Sequence, residues 1–399
     1  MATKNKASLS VIFVTIFIDL MGFGILIPIL PTFASKELGI SDFGIGTIVA
    51  IFSFVQFIFN PMLGRLSDKI GRRPVILSTQ LLTAASYIIF AFSNSFLLLF
   101  ISRLIAGLGG SNIGVAQAYI ADITTKEDRS KGMGVIGAAF GLGFVFGPVI
   151  GALLAHYGYH IAGFASALFT LSAFAFAYFR LPESIKEKKV HEKIRIKLFD
   201  LQLARQVLSN PSLGFLIILL FLIIFSIANI YGTFALLGYK YYHFTDQQTG
   251  MLFGITGLLG AVVQAGFIKT LSHKFGEKNV VLIGIVFMIF GLGLLPFGGN
   301  FAGVAFVISI LAVGSGILQP IIPGMISKYA PENQQGATLG FSTSISALAR
   351  VLGPLWGGFS YGFLGYQYPF VTGAFLTFIT LIFAFFMLKS ERSGVAQDV

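Results

Sequence analysis

The chain has 399 residues, 55% of them apolar and only 11% charged, where a soluble globular domain carries about 25% charge. Too few charges remain to cover a water-exposed surface, which excludes an ordinary soluble domain and makes lipid the fitting solvent. Cysteine is absent, which excludes disulfides, thiolate metal sites and thiol redox chemistry, and the net charge of +11 sits in loops, so it reads as a membrane-topology signal rather than a nucleic-acid footprint.

A helix needs about 20 apolar residues to cross the bilayer core. Polar and Pro/Gly punctuation predicts twelve spans, over 10–33, 43–64, 74–92, 96–119, 131–155, 161–179, 212–238, 247–270, 278–297, 301–327, 336–360 and 368–388. The apolar run from Ser10 to Pro31 exceeds a signal-peptide core of about 7–15 residues, and no small-residue cleavage site follows, so it is expected to stay as the first span. Short alternating strands, the mark of a barrel, are missing, and lipid offers unpaired backbone groups no partner. The expected fold class is an all-α membrane protein of twelve transmembrane helices.

Of the 27 Lys and Arg residues, all but Lys36, Lys240, Arg103 and Arg350 fall in loops on one side of the membrane or in the termini. Basic residues favour the cytoplasmic side, so both termini are expected there, with the bacterial inner membrane as the location. The long hydrophilic stretch between spans 6 and 7 is Lys-rich and then amphipathic (IKEKKVHEKIRIK, LFDLQLARQVL), and reads as a linker lying against anionic lipid. It separates two six-helix bundles: residues 1–180, a cytoplasmic linker over 181–211, and residues 212–399.

The two halves resemble each other. Gly134, Gly147, Pro148 and Gly151 match Gly340, Gly353, Pro354 and Gly357, and RLSDKIGRRPVIL from Arg65 aligns with TLSHKFGEKNVVL from Thr270. Parallel six-span repeats are one way transporters are built, with substrate handled at the interface of the halves.

Three charges lie well inside spans: Asp19, Arg103 and Arg350. Each costs about 2.5–3.5 kcal/mol or more at the centre of an isolated helix, so each is expected to face a cavity or a partner. Asp19 is the sole carboxylate among them. Low dielectric disfavours its charged form and a nearby cation favours it, so approach of an Arg can couple protonation to conformation; a static Asp–Arg pair is the alternative. Arg103 shares a helical face with Gly107, Gly110 and Gly114, and small residues let a neighbouring helix approach. Arg350 shares a face with Thr343, Ser346, Pro354 and Gly357, and is a candidate for binding an anionic group or for pairing with Asp19.

The loop between spans 2 and 3 has its own physics. Gly64 is expected to end the second helix and Gly71 to allow a tight turn. Asp68 can sit at the positive end of span 11. Span 5 carries Gly137, Gly141, Gly147, Pro148 and Gly151; Pro148 removes one helical hydrogen bond, so this helix is expected to bend or slide against a neighbour in the other half.

These stretches resemble a known family. GRLSDKIGRRPVIL (Gly64 to Leu77) is similar to the loop 2–3 motif of the major facilitator superfamily, and RLIAGLGGSNIGVAQAYIAD (Arg103 to Asp122) to the helix 4 motif of its proton-coupled members. GLGFVFGPVIGALL resembles the helix 5 antiporter motif, and FIDLMGFGILIPILP resembles helix 1 of the twelve-span drug:proton antiporters, especially the tetracycline-efflux branch. The resemblance implies the two-bundle fold, proton coupling through Asp19 and Arg103, and a cytoplasmic gate of Gly64, Asp68, Gly71, Arg72, Arg73 and Asp122. In it, Asp68, Arg72 and Asp122 form a charge cluster that closes the cytoplasmic side of the outward-facing state. The second copy has His273, Glu277 and Lys278 at the matching places, so the lock is expected to have degenerated there. The resemblance also favours Asn229 and Gln264 as cavity residues, beside Asn112, Gln319 and Arg350. One departure concerns acids that tetracycline exporters carry in helices 3 and 9: the matching helix 3 position is Ser86, and span 9 has no acid.

The function expected is proton-coupled antiport of a small amphipathic compound or drug, exported by a monomer whose partners are substrate, protons and lipid, with no cofactor, metal or nucleic acid. Uptake, lipid flipping or uniport by the same fold is the alternative, and a membrane sensor without flux is another. No nucleophile elbow, metal-spaced His cluster or paired intramembrane carboxylates point to an enzyme.

Overall fold

A computed structural model describes residues 2–125, 129–185, 201–331 and 335–394, and every regular element among them is helical. Ten of the described helices are long and apolar enough to cross a membrane. The chain divides into two units, Met1–Leu198 with Phe244–Gly254, and Phe199–His243 with Ile255–Val399.

The first unit contains α1 (Ala2–Lys36), α2 (Asp42–Ile70), α3 (Arg72–Ala91), α4 (Phe96–Gly109), α5 (Ile113–Ile123), α6 (Arg129–Ala155) and α7 (Tyr159–Arg180). A single 3₁₀ turn, Gly110–Asn112, joins α4 to α5, so together they make the fourth span. Helix starts carry the expected oxygen caps: Ser41 accepts from the Gly44 amide at 3.2 Å, and Ser95 from the Leu98 amide at 3.4 Å. Helix α1 packs on α6 and α7, and α3 packs on α4 and α7. One cluster of the core, including Ile12, Val75, Val115, Tyr119, Ile136 and Ala177, joins α1, α3, α5, α6 and α7.

The second unit contains α8 (Leu201–Ser209), α9 (Pro211–Leu236), the end of α10 (Asp246–Val262), α11 (Ile268–Phe275), α12 (Glu277–Leu294), α13 (Phe301–Tyr329), α14 (Gln335–Phe359) and α15 (Tyr368–Gly394). A π-helical turn, Val263–Phe267, joins α10 to α11. Its packing repeats that of the first unit: α9 packs on α14 and α15, and α12 packs on α13 and α15. The matched glycines explain the correspondence. A side chain on Gly147 would meet the backbone of Gly24 at 2.6 Å, and one on Gly353 would meet the Phe225 carbonyl at 2.8 Å. In each unit a glycine face lets two backbones touch, as small residues do between membrane helices.

Gly64 lies inside α2, which runs on to Ile70, rather than ending it. The break comes at Gly71, whose φ of +114° suits only glycine.

Candidate functional site

Asp19 sits on α1 within the first unit, and the break in the fourth span determines its partner. At Ser111 the backbone leaves helical geometry, with φ −77° and ψ +17°. The Gly110 carbonyl there is taken by Gln56 Nε2 at 2.9 Å. The turn directs Asn112 to α1, where its Nδ2 donates to Asp19 Oδ2 at 3.3 Å. Asn112, expected to line the substrate cavity, hydrogen-bonds the carboxylate. The other Asp19 oxygen, Oδ1, is buried and takes no well-aligned hydrogen bond, and the Thr170 hydroxyl lies within hydrogen-bonding reach of the carboxylate.

Arg103 is 4% exposed. Its guanidinium lies 5.9 Å from the centre of the Tyr87 ring and 5.8 Å from that of Phe90, an arrangement in which ring faces attract a cation. Its Nε and one terminal nitrogen are buried without hydrogen-bond partners. No hydrogen bond or ion pair joins Asp19 to Arg103 among the described residues; Tyr87 lies within electrostatic reach of both. Tyr87 and Thr170 also face α1 at Gly22, one turn beyond Asp19. The sequence reading missed both residues, since neither carries charge.

The charge cluster of the α2–α3 loop is built around Arg72, whose side chain is only 10% exposed. One terminal nitrogen pairs with Asp68 at 2.5 Å, Nε pairs with Asp122 at 3.1 Å, and the other terminal nitrogen donates to Ser67 Oγ at 2.6 Å and to the Gly64 carbonyl at 3.3 Å. Arg73 turns away, donating to the Tyr178 carbonyl at 2.6 Å and lying over the Tyr178 ring. A residue absent from the sequence reading completes the cluster. The Glu183 carboxylate accepts the backbone amides of Arg72 at 2.9 Å and Arg73 at 3.2 Å.

The second copy of this loop has changed its charges rather than lost its pairing. Glu277, which aligns with Arg72, pairs with Lys328 of α13 at 2.5 Å. Lys328 matches Asp122 in the repeat register of the glycines, so an Arg–Asp pair in one unit is a Glu–Lys pair in the other.

Helix α6 differs in one respect from the expected hinge. Its closely packed face is Gly143, Gly147 and Gly151, and it meets Leu20, Gly24 and Ile25 of α1 in the same unit. Gly137 faces open space, and Gly141 is half-buried. The Pro148 carbonyl and Ala152 receive Gly250 of α10. Near that contact Tyr159 donates to Asp246 Oδ2 at 2.9 Å, with Lys36 over the Tyr159 ring. Asp246 lies just ahead of the eighth span. Burial pushes its carboxyl up, the Tyr159 bond and the Lys36 charge draw it down, and Glu37 pushes it up.

In the second unit Asn229 is fully buried, and its amide donates to the Pro369 carbonyl. It clamps α9 to α15 rather than lining a cavity; Gly357 of α14 leaves room for its oxygen. Gln264, in the π-helical turn, and Gln319 are exposed. Arg350 is half-buried, forms no ion pair among the described residues, and lies within electrostatic reach of Tyr231. Among the described residues no group of three or more His, Asp or Glu could hold a metal ion.

Comparison with known proteins places this architecture. The Major Facilitator Superfamily model matches residues 12–270 and 240–398. The tetracycline resistance protein, class B, of Escherichia coli is 30% identical, over 98% of this chain and 99% of that protein. Multidrug resistance protein 2 of Bacillus subtilis (strain 168) is 27% identical, over 95% and 94%. The crystal structure of the human organic anion transporter MFSD10 (TETRAN) superposes with a TM-score of 0.72 at 27% identity, covering 95% of this chain and 99% of that one. The chain thus belongs to the Major Facilitator Superfamily, on its drug-efflux, tetracycline-resistance-like branch, and is a membrane transporter of twelve helices in two bundles.

Proposed function

We propose that the protein is a proton-coupled antiporter that exports small amphipathic compounds by alternating access. Asp19 carries this reading: its carboxylate is buried inside the first unit, its hydrogen-bonding neighbours Asn112 and Thr170 are neutral, and it has no ion pair to a cation among the described residues. A proton arriving there changes the charge of a low-dielectric site, and the protein must respond by repacking or by moving Arg103 closer. Arg103 is suited to that response, because rings rather than acceptors hold it in place. The charge cluster at Arg72 supplies the second ingredient, a lock whose making and breaking biases which side is open.

Export is the direction favoured by the helix 5 motif and by relatives named for tetracycline and multidrug resistance. An amphipathic substrate with an anionic group would find its counter-charge at Arg350; the human relative described as an organic anion transporter is consistent with that class. The protein acts as a monomer in the bacterial inner membrane with both termini in the cytoplasm.

The test is purified protein in liposomes with an imposed pH gradient, screened against fluorescent amphipathic drugs and organic anions. Substrate movement against its own gradient, with counter-movement of protons, is the expected result. Flux independent of the gradient would mean uniport, movement of substrate with protons would mean uptake, and binding without flux would mean a sensor.

A further inference from the structure

We propose that Glu183 is the positioning residue of the cytoplasmic charge cluster, and that through it the start of the interdomain linker acts as a strap on the lock; this rests on the reading of the cluster as a lock. A helix leaves its first amides without partners, and Gly71, just ahead of α3, offers no side-chain cap. The cap comes from 110 or more residues away. Glu183 Oε1 accepts the Arg72 amide at 2.9 Å and Oε2 accepts the Arg73 amide at 3.2 Å. An anion at the positive end of a helix, held by two amides, is a strong arrangement.

The chain around Glu183 is fastened as well. The same Oε1 accepts the amides of Ser184 at 2.9 Å and Ile185 at 3.2 Å, so the linker's first residues curl about the carboxylate. Ser184 Oγ donates at 2.8 Å to Asp122 Oδ2, the oxygen that also takes Arg72 Nε. On the near side, Tyr119 donates to the Pro182 carbonyl at 2.9 Å. Three consecutive residues, Pro182, Glu183 and Ser184, therefore bind two helices of the first unit, α5 through Tyr119 and Asp122 and α3 through its first amides. Gly71 is what admits the strap: a side chain there would collide with the Glu183 carboxylate.

The consequence is mechanical. Arg72 can bridge Asp68 and Asp122 only while its backbone is held at the start of α3, and the linker holds it. A change in how Pro182, Glu183 and Ser184 sit on the first unit is thereby transmitted to the lock. Glu183 bonds the backbone amides of Arg72 and Arg73 rather than Asp68 or the Arg72 guanidinium, which makes it a positioning residue.

The experiment uses the full-length protein in nanodiscs, as wild type, Glu183→Ala, the isosteric Glu183→Gln, and Asp68→Asn. Hydrogen exchange of the first turn of α3 reads the strap, and electron-electron spin-label distances across the cytoplasmic ends read the lock. Loss of two charge-assisted bonds is expected to speed exchange at Arg72 and Arg73 by about tenfold or more in Glu183→Ala, with Glu183→Gln between it and the wild type. The label distances should shift in the same direction as in Asp68→Asn, and the shift should vanish when Glu183→Ala is added to Arg72→Ala. Unchanged exchange in Glu183→Ala overturns the strap outright. Faster exchange with unchanged distances, while Asp68→Asn does move them, reduces Glu183 to a local cap and overturns the proposal but not the lock. If neither variant moves the distances, the lock reading itself falls.

Discussion

The contact between α1 and α6 makes the sharpest energetic prediction. A Cβ added at Gly147 would lie 2.6 Å from Gly24 Cα, 2.7 Å from its carbonyl carbon and 3.0 Å from the Ile25 nitrogen. All three are backbone atoms, so no rotamer change relieves the clash. Normal carbon contacts need about 3.5–4.0 Å, so α1 must retreat by roughly 1 Å along its longest intra-unit interface. Overpacking of this kind costs about 1–3 kcal/mol. Gly147→Ala should therefore lower thermal stability in nanodiscs, measured by loss of the Trp356 fluorescence signal or by differential scanning. Gly137→Ala is the control, because nothing lies within 4 Å of its added carbon. There the change should be neutral or stabilising by up to about 1 kcal/mol, since Ala favours helix over Gly. Equal stability of Gly147→Ala and wild type, or greater damage from Gly137→Ala, would refute the close backbone contact and favour a flexible hinge.

Other consequences follow from the same geometry. Arg103→Ala should abolish most transport, and Arg103→Lys should restore only part of it, because Lys lacks the planar, weakly hydrated guanidinium that lies within 6 Å of the Tyr87 and Phe90 ring centres; equal flux of Lys and wild type would contradict this. Asp68→Asn should lengthen the cytoplasmic label distances by shifting the population rather than unfolding the protein. With Asp68 46% exposed, the shift should sit near the low end of coupling energies, about 1 kcal/mol or fivefold. Asn229→Ala should destabilise the second unit through loss of its bond to Pro369 and leave substrate selectivity alone, as a thermal shift and a drug panel would show. Asp246 gives a pH dependence. Its carboxyl is raised from 3.8 chiefly by burial, so the docked N-terminal end of α10 binds a proton more readily than the released one. Docking should therefore be strongest in acid and weaken as pH rises from the ordinary carboxylate range through the raised value. Hydrogen exchange of that helix end, corrected for intrinsic rates, should rise toward neutral pH in the wild type and flatten in Asp246→Asn.

How much of this was legible in the sequence depends on what kind of physics set it. Lipid allows little but helix, so hydropathy was enough for twelve spans, and the Gly147/Gly353 and Gly151/Gly357 matches already carried the internal repeat. The intramembrane charges identified themselves by their cost. The contacts that were hidden depend on distant pairs. Nothing local in Glu183 says that it caps a helix whose start lies 111 residues earlier; its only sequence signal is a carboxylate placed directly after the last turn of α7. The Glu277–Lys328 pair was hidden because alignment looks for sameness, and a pair with both charges exchanged keeps the interaction while changing both letters. Asn112 and Asn229 show the remaining gap. Each is polar inside a span, which the sequence reports, but a kink at Ser111 sends one to Asp19 and the glycine-faced packing of α9 and α14 confines the other. Composition cannot separate a cavity wall from a helix clamp.

The central claim is that Asp19 carries the proton. The direct measurement is paired transport in proteoliposomes of wild type and Asp19→Asn: uphill efflux driven by a pH gradient, and exchange of labelled for unlabelled substrate at equal pH. Asn keeps the bond to Asn112 in reach and the local shape nearly unchanged, but it cannot take up or release the proton. Uphill efflux should vanish while exchange persists. Gradient-driven accumulation at the wild-type level in Asp19→Asn would remove Asp19 from the coupling mechanism.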